Sequence, residues 1–110
     1  MKAKAKGKGK RNGTCYRDAF HSLEAIPYGV LCHGLVYSHA WSRFIRHAWI
    51  EIKLTTIEMF YDPATDKVLM MDTFKRIGKP KNVRRYSLRE AREMALKTET
   101  YGPWKKEVAR

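Results

Sequence analysis

Cysteine is scarce, long apolar runs are missing, and the first eleven residues contain no acid. Two cysteines, Cys15 and Cys32, cannot supply a disulfide framework in a chain of 110 residues. So few thiols fit a reducing cytoplasm better than secretion. No apolar stretch approaches the roughly 18 residues that would predict a membrane span. No apolar region follows the positive N-terminus, so no secretory signal is expected. There is no internal repeat, no helix-turn-helix pattern and no RNA-recognition signature.

What is present suits a folded globule. Hydrophobic residues make up 44% of the chain, with three Trp, six Tyr and four Phe, enough for one modest core and one domain. The net charge of +12 is unevenly spread. Lys2, Lys4, Lys6, Lys8, Lys10 and Arg11 alternate with Ala and Gly in "MKAKAKGKGKR". Such a stretch cannot bury apolar surface, so residues 1–12 are expected to be a disordered basic tail and 105–110 a short C-terminal tail. The basic tail reads either as a loose attractor of nucleic acid or another polyanion, or as a solvated segment that serves solubility.

From Cys15 the apolar residues Tyr16, Ala19, Phe20, Leu23 and Ile26 recur with helical spacing. Thr14 is a candidate N-cap, and Ile26-Pro27 ends the helix. "VLCHGLVYS" (Val30–Ser38) predicts a strand with a bulge at Gly34. In "RHAWIEI", Ala48, Ile50 and Ile52 alternate on one side, with His47, Trp49 and Glu51 on the other. A second strand runs Ile57 to Asp62. In a tight hairpin Ile52 would face Ile57, Ile50 Met59 and Ala48 Tyr61, and His47 would lie directly opposite Asp62. That register also sets Glu51 against Glu58 and turns at Leu54-Thr55, two defects that a longer bulged turn would relieve. "DPATD" reads as a turn, Lys67–Phe74 as a third strand and "GKPKN" as a basic loop. Ser87 with Glu90 forms a capping-box signature for a helix over Leu88–Lys97, which "YGPW" ends. The expected fold class is α+β: an N-terminal helix on an antiparallel sheet of three or four strands, with a C-terminal helix.

Three side chains suggest chemistry. Cys15 opens a helix, where backbone N–H groups favour a thiolate; His47 begins a strand; Asp62 is its expected neighbour. A thiol nucleophile needs an imidazole, and the imidazole an acceptor on its other nitrogen. Taken singly, each is ordinary: a small buried hydrophobe, a strand residue, a turn starter.

In this order the pieces resemble the transglutaminase-like branch of the papain-like superfamily. There a Cys opens a helix, "HAW-E" follows on a strand and "DP" on the next; here these are Cys15, His47-Ala48-Trp49-Ile50-Glu51 and Asp62-Pro63. "CHGLVY" is similar to the strand that precedes the histidine, and "YGPW" to the end of small phage or bacterial members. The resemblance implies a single papain-like domain over 13–104, with Cys15 as nucleophile, His47 as general base and acid, and Asp62 as orienting group. It also implies amide hydrolysis or acyl transfer through a thioester, on a peptide or protein substrate. The oxyanion would be held by the Cys15 backbone N–H and one further donor, for which Asn12 is the upstream candidate.

No cofactor is implied, and His21, His33 and His39 stand at no metal-ligand spacing. Cys32 is expected in the core, and Trp41, Trp49 and Phe60 in packing. The rival readings are a small nucleic-acid binder using the tail with Lys75, Arg76, Lys79, Lys81, Arg84, Arg85, Arg89 and Arg92, or a non-catalytic partner-binding protein on the same fold.

Overall fold

A computed structural model describes residues 14–104. The helical stripe forms α1 (Thr14–Ala25), whose buried residues are Cys15, Tyr16, Ala19, Phe20 and Leu23. Its last turn closes through Ile26 N–H to Ser22 O at 2.9 Å, directly before Pro27. The chain then enters β1 (Val30–Ser38), reverses, and returns as β2 (Arg43–Lys53). These two strands pair along their length, from Val30 with Glu51 to Ser38 with Arg43. β3 (Glu58–Asp62) and β4 (Lys67–Met70) extend the sheet on one side and β5 (Lys81–Tyr86) on the other. The order is β4-β3-β2-β1-β5, antiparallel throughout. The fold is therefore α+β, with five strands instead of three or four.

Alternation sorts the two sheet faces. Leu31, Ala48 and Ile50 join the buried side chains of α1 in one core cluster. On that same face lies α3 (Leu88–Thr98), contributing Ala91, Leu88 and Ala95. Its capping box is formed as expected: Glu90 N–H donates to Ser87 Oγ at 3.1 Å, and Ser87 N–H to Glu90 Oε1 at 2.9 Å. On the other face Cys32, Val36, Trp49 and Phe60 meet Met71 and Phe74. Trp49 is fully buried, and the Phe60 and Phe74 rings stack with centroids 3.9 Å apart. The bulge expected at Gly34 is present as a register shift between His33 and Leu35 in the β1–β5 pairing.

Three expectations are corrected. The third strand stops at Met70, and Met71–Gly78 is a helix, α2. Met71 and Phe74 are three residues apart, so one helical face carries both into the Trp49 core, where a strand would have split them between faces. The basic loop is shorter than expected, because Lys81 and Asn82 already belong to β5. The hairpin register is also shifted by two residues: Ile52 pairs with Met59 and Ile50 with Tyr61. Leu54 N–H donates to Ile57 O at 2.8 Å, placing Thr55-Thr56 at the tip. The shift separates Glu51 from Glu58. Glu58 now faces Lys53, with a 3.5 Å ion pair, and Glu51 forms a two-point pair with Arg85. An even shift leaves every side chain on its face, so the apolar set survives.

No helix among the described residues is long and apolar enough to cross a membrane. The expectations for 1–12 and 105–110 lie outside the described residues.

Candidate active site

β3 is hydrogen-bonded to β2 only from Ile50 to Lys53. That edge of Arg43–Trp49 consequently has no strand partner among the described residues, and His47 stands beside it. Asp62 ends β3 and begins the "DPATD" turn. Its backbone carbonyl accepts from Asp66 N–H at 2.6 Å and Thr65 N–H at 3.2 Å. Its carboxylate is held by the same turn: Ala64 N–H donates to Oδ1 at 3.0 Å and Thr65 Oγ1–H to Oδ2 at 3.1 Å. A turn that uses the aspartate's own side chain leaves that carboxylate one orientation.

That orientation faces His47. The imidazole Nε2–H donates to Asp62 Oδ2 at 3.1 Å, with the two side chains 15% and 11% exposed. The contact is diagonal rather than directly cross-strand, because continuing the observed register by one residue sets Trp49 opposite Asp62. Diagonal neighbours on one face remain within reach of long polar side chains. The His47 ring also lies nearly parallel to that of Trp49, 6.3 Å between centroids.

Cys15 reaches the site from the first turn of α1, with 7% of its surface exposed. The cysteine side chain lies beside the His47 ring, close enough to raise its proton affinity. With Nε2 occupied by Asp62, Nδ1 is the nitrogen left to exchange a proton with the thiol. Burial by itself pulls the imidazole's pKa down and is the largest single influence. The hydrogen bonds to Asp62 and Cys15, with the charges on both, more than reverse it and raise the pKa to about 9. Burial likewise pushes the Asp62 carboxyl up, but the hydrogen bond and charge of His47, then Thr65 and Ala64, hold it below its ordinary value. The buried pair is an imidazolium against a carboxylate.

Cys15, His47 and Asp62 thus meet at one place. Asn12, the second oxyanion donor suggested by the sequence, and the cations Lys2, Lys4, Lys6, Lys8, Lys10 and Arg11 lie outside the described residues. Cys32 is fully buried, its thiol 3.8 Å from Val30 O. Burial, then the charge of Glu51, pushes its pKa far up, which leaves it an inert core residue. His21 pairs with Glu24 at 3.3 Å and His39 with Ile77 O at 3.2 Å. No group of three or more His, Cys, Asp and Glu among the described residues is placed to hold a metal ion.

Two features escaped the sequence reading. Thr65 is a second holder of the carboxylate, and its signal was the Asp-x-x-Thr spacing of the turn. Trp41 was expected to pack and is 59% exposed, whereas Trp49 and Phe60 are buried. Several cations of the rival reading are paired or set apart. Arg85 is paired with Glu51, Arg89 with Glu93 and Arg92 with Glu24, while Lys75 and Arg76 belong to α2 on the other face.

No family model, curated protein or solved structure matches the chain.

Proposed function

We propose that the protein is a papain-like thiol enzyme, with Cys15 as nucleophile, His47 as proton carrier and Asp62 as orienting group. One observation carries the reading: a single buried imidazole with a thiol beside it and a turn-locked carboxylate 3.1 Å from its Nε2. A structural ion pair has no use for the thiol, whereas nucleophilic catalysis needs all three.

Attack requires the Cys15 thiol to pass its proton to the His47 ring, which then stands as an imidazolium beside the sulfur. Sγ attacks the acyl carbon of an amide, and the electron pair of the carbonyl moves to oxygen. The oxyanion forms beside the first turn of α1, where the Cys15 N–H points out of the helix. Collapse breaks the C–N bond, and the imidazolium gives its proton to the departing amine. This leaves a thioester and a neutral imidazole. That imidazole then takes a proton from water, for hydrolysis, or from an acceptor amine, for acyl transfer. Asp62 keeps Nε2–H in place throughout and compensates the charge on the ring. Because Cys15 is 7% exposed, a substrate that is narrow at the acyl group suits the site.

Alkylation by iodoacetamide, followed by mass spectrometry, tests the triad with Cys32 as internal control. Cys15 is expected to react at neutral pH much faster than Cys32, and His47→Ala is expected to slow it by roughly ten-fold or more. Equal rates for Cys15 in the wild type and in His47→Ala would remove the enzyme reading and favour a non-catalytic protein on the same fold.

A further inference from the structure

A second surface lies at the far end of the β1–β2 hairpin, on the face that α1 and α3 cover lower down. Tyr37 and Phe44 are paired there across the strands, their rings 5.4 Å apart and edge to face. Alternation puts them on the same face as Leu31 and Ala48, beyond the N-terminal turn of the helix. Trp41 projects from the connecting turn, 59% exposed. Each of the three rings carries a cation. Arg43 Cζ is 5.7 Å from the Trp41 centroid, Lys79 Nζ 5.5 Å from Tyr37 and Lys81 Nζ 4.1 Å from Phe44.

The charge here is uncompensated. No acidic residue lies between Glu24 and Glu51, nor between Asp72 and Glu90. Arg43, Lys79 and Lys81 make no ion pair with a carboxylate among the described residues, in contrast to Arg85, Arg89 and Arg92. Strongly hydrated lysines resting on ring faces also report that those faces can be reached from solvent.

We propose that this platform of Tyr37, Trp41, Arg43, Phe44, Lys79 and Lys81 binds single-stranded nucleic acid. Two requirements meet in it. A phosphate backbone needs cations not already neutralised by carboxylates, and unstacked bases need reachable aromatic faces. Only a single strand offers phosphates and bare base faces together, since a duplex hides its base faces in the stack. On binding, a base replaces the ammonium over a ring, and the ammonium moves onto the neighbouring phosphate. The platform stands apart from Cys15, His47 and Asp62 and does not depend on the thiol chemistry.

The test uses the full chain and a labelled oligothymidylate of roughly fifteen nucleotides, read by fluorescence anisotropy across a salt series. Trp41→Ala is expected to weaken binding about ten-fold without changing the salt slope, as loss of one stacked base would. Lys79→Gln with Lys81→Gln is expected to lower the salt slope by about 1.4 units. Any contribution from the basic N-terminal residues is common to wild type and variants, so the differences isolate the platform. Trp41 is exposed, and an unchanged melting curve will show that its variant folds. Unchanged affinity in Trp41→Ala overturns the proposal. So does a loss in Trp41→Ala that is as large for heparin, or for a duplex of equal length, as for the oligothymidylate, because either would reduce the surface to charge alone.

Discussion

His33 and His47 occupy neighbouring strands, and both are largely or wholly buried, yet their proton affinities diverge in opposite directions. His47 pairs with Gly34 and His33 with Ala48, so the two rings leave the sheet on opposite faces. His47 has a carboxylate and a thiol, and its pKa rises to about 9. His33 has rings: Tyr16 at 4.7 Å, Trp104 at 5.0 Å and Tyr86 at 5.2 Å between centroids. Gly102 completes the cage. It sits at φ +114 with no side chain, and a Cβ there would come within 2.5 Å of the His33 ring. Both His33 ring nitrogens lack a hydrogen-bond partner among the described residues, and burial pulls its pKa down to about 4. Burial penalises the charged form at both sites; what differs is whether a partner answers it.

Removing that partner is expected to give the largest effect. In Asp62→Ala the His47 ring loses the carboxylate that holds its proton, and near neutral pH folding stability should fall by about 3 kcal/mol as the ring gives that proton up. Its pKa should fall well below 9, towards the behaviour of His33, with burial opposed only by Cys15. Urea unfolding and an NMR titration of the His47 ring would read both quantities. A His47 that still titrates near 9 in this variant would show that Asp62 is not what distinguishes the two sites.

A pH series separates the histidines without mutating the site. The folded His33 holds its proton less tightly than the unfolded chain, so acidification favours unfolding. From about pH 6.5 down to about pH 4 the protein should lose roughly 3 kcal/mol on this account. His47 has the opposite sign. Its contribution is complete below pH 6.5 and is lost as pH rises through about 9. The Asp62 contribution is present above its unfolded value of 3.8 and goes only below that, outside the His33 window. Unfolding midpoints measured across pH should therefore form a dome, and His33→Phe should flatten only the acid limb. If the acid limb is unchanged in that variant, the cage is not the source of the acid sensitivity.

The asymmetry between these histidines also marks how far the sequence could be read. The partner of His47 was legible because it is local in the sheet: alternation fixed the face, and "DP" marked the turn. The register was still misread by two residues, since pairing Glu58 with Lys53 and releasing Glu51 to Arg85 depends on β5. That strand was itself hidden. "KNVRRY" offers only Val83 and Tyr86 as apolar positions, and it is a strand because β1 presents an edge. α2 is hidden because "KVLMMDTF" is one short apolar-rich run that continues a strand without a break, and only the i, i+3 spacing of Met71 and Phe74 marks the change of period. The surroundings of His33 were illegible for the same reason. Tyr16, Tyr86 and Trp104 are scattered across nearly the whole described chain, and only the tertiary fold brings them together. α1 and α3 were legible because apolar spacing and a capping box are both local signals, although Thr14, expected as a cap, already belongs to α1, and α3 runs on to Thr98.

The smallest of these effects discriminates most finely. Among the described residues the Thr65 hydroxyl donates to the Asp62 carboxylate, at 3.1 Å, and to neither histidine. Thr65→Val removes that hydrogen bond while keeping the shape, and should cost about 1 kcal/mol. The Ala64 N–H still holds Oδ1, so the carboxylate keeps its place with one restraint fewer. His47 should then titrate between 6.5 and its wild-type value, and the alkaline limb should move with it. The acid limb should not move, because nothing connects Thr65 to the cage of His33 on the opposite face of the sheet. A shift in both limbs would mean that the two sites share one adjustable sheet, and that proton affinity at His47 is a property of the fold rather than of its three contacts.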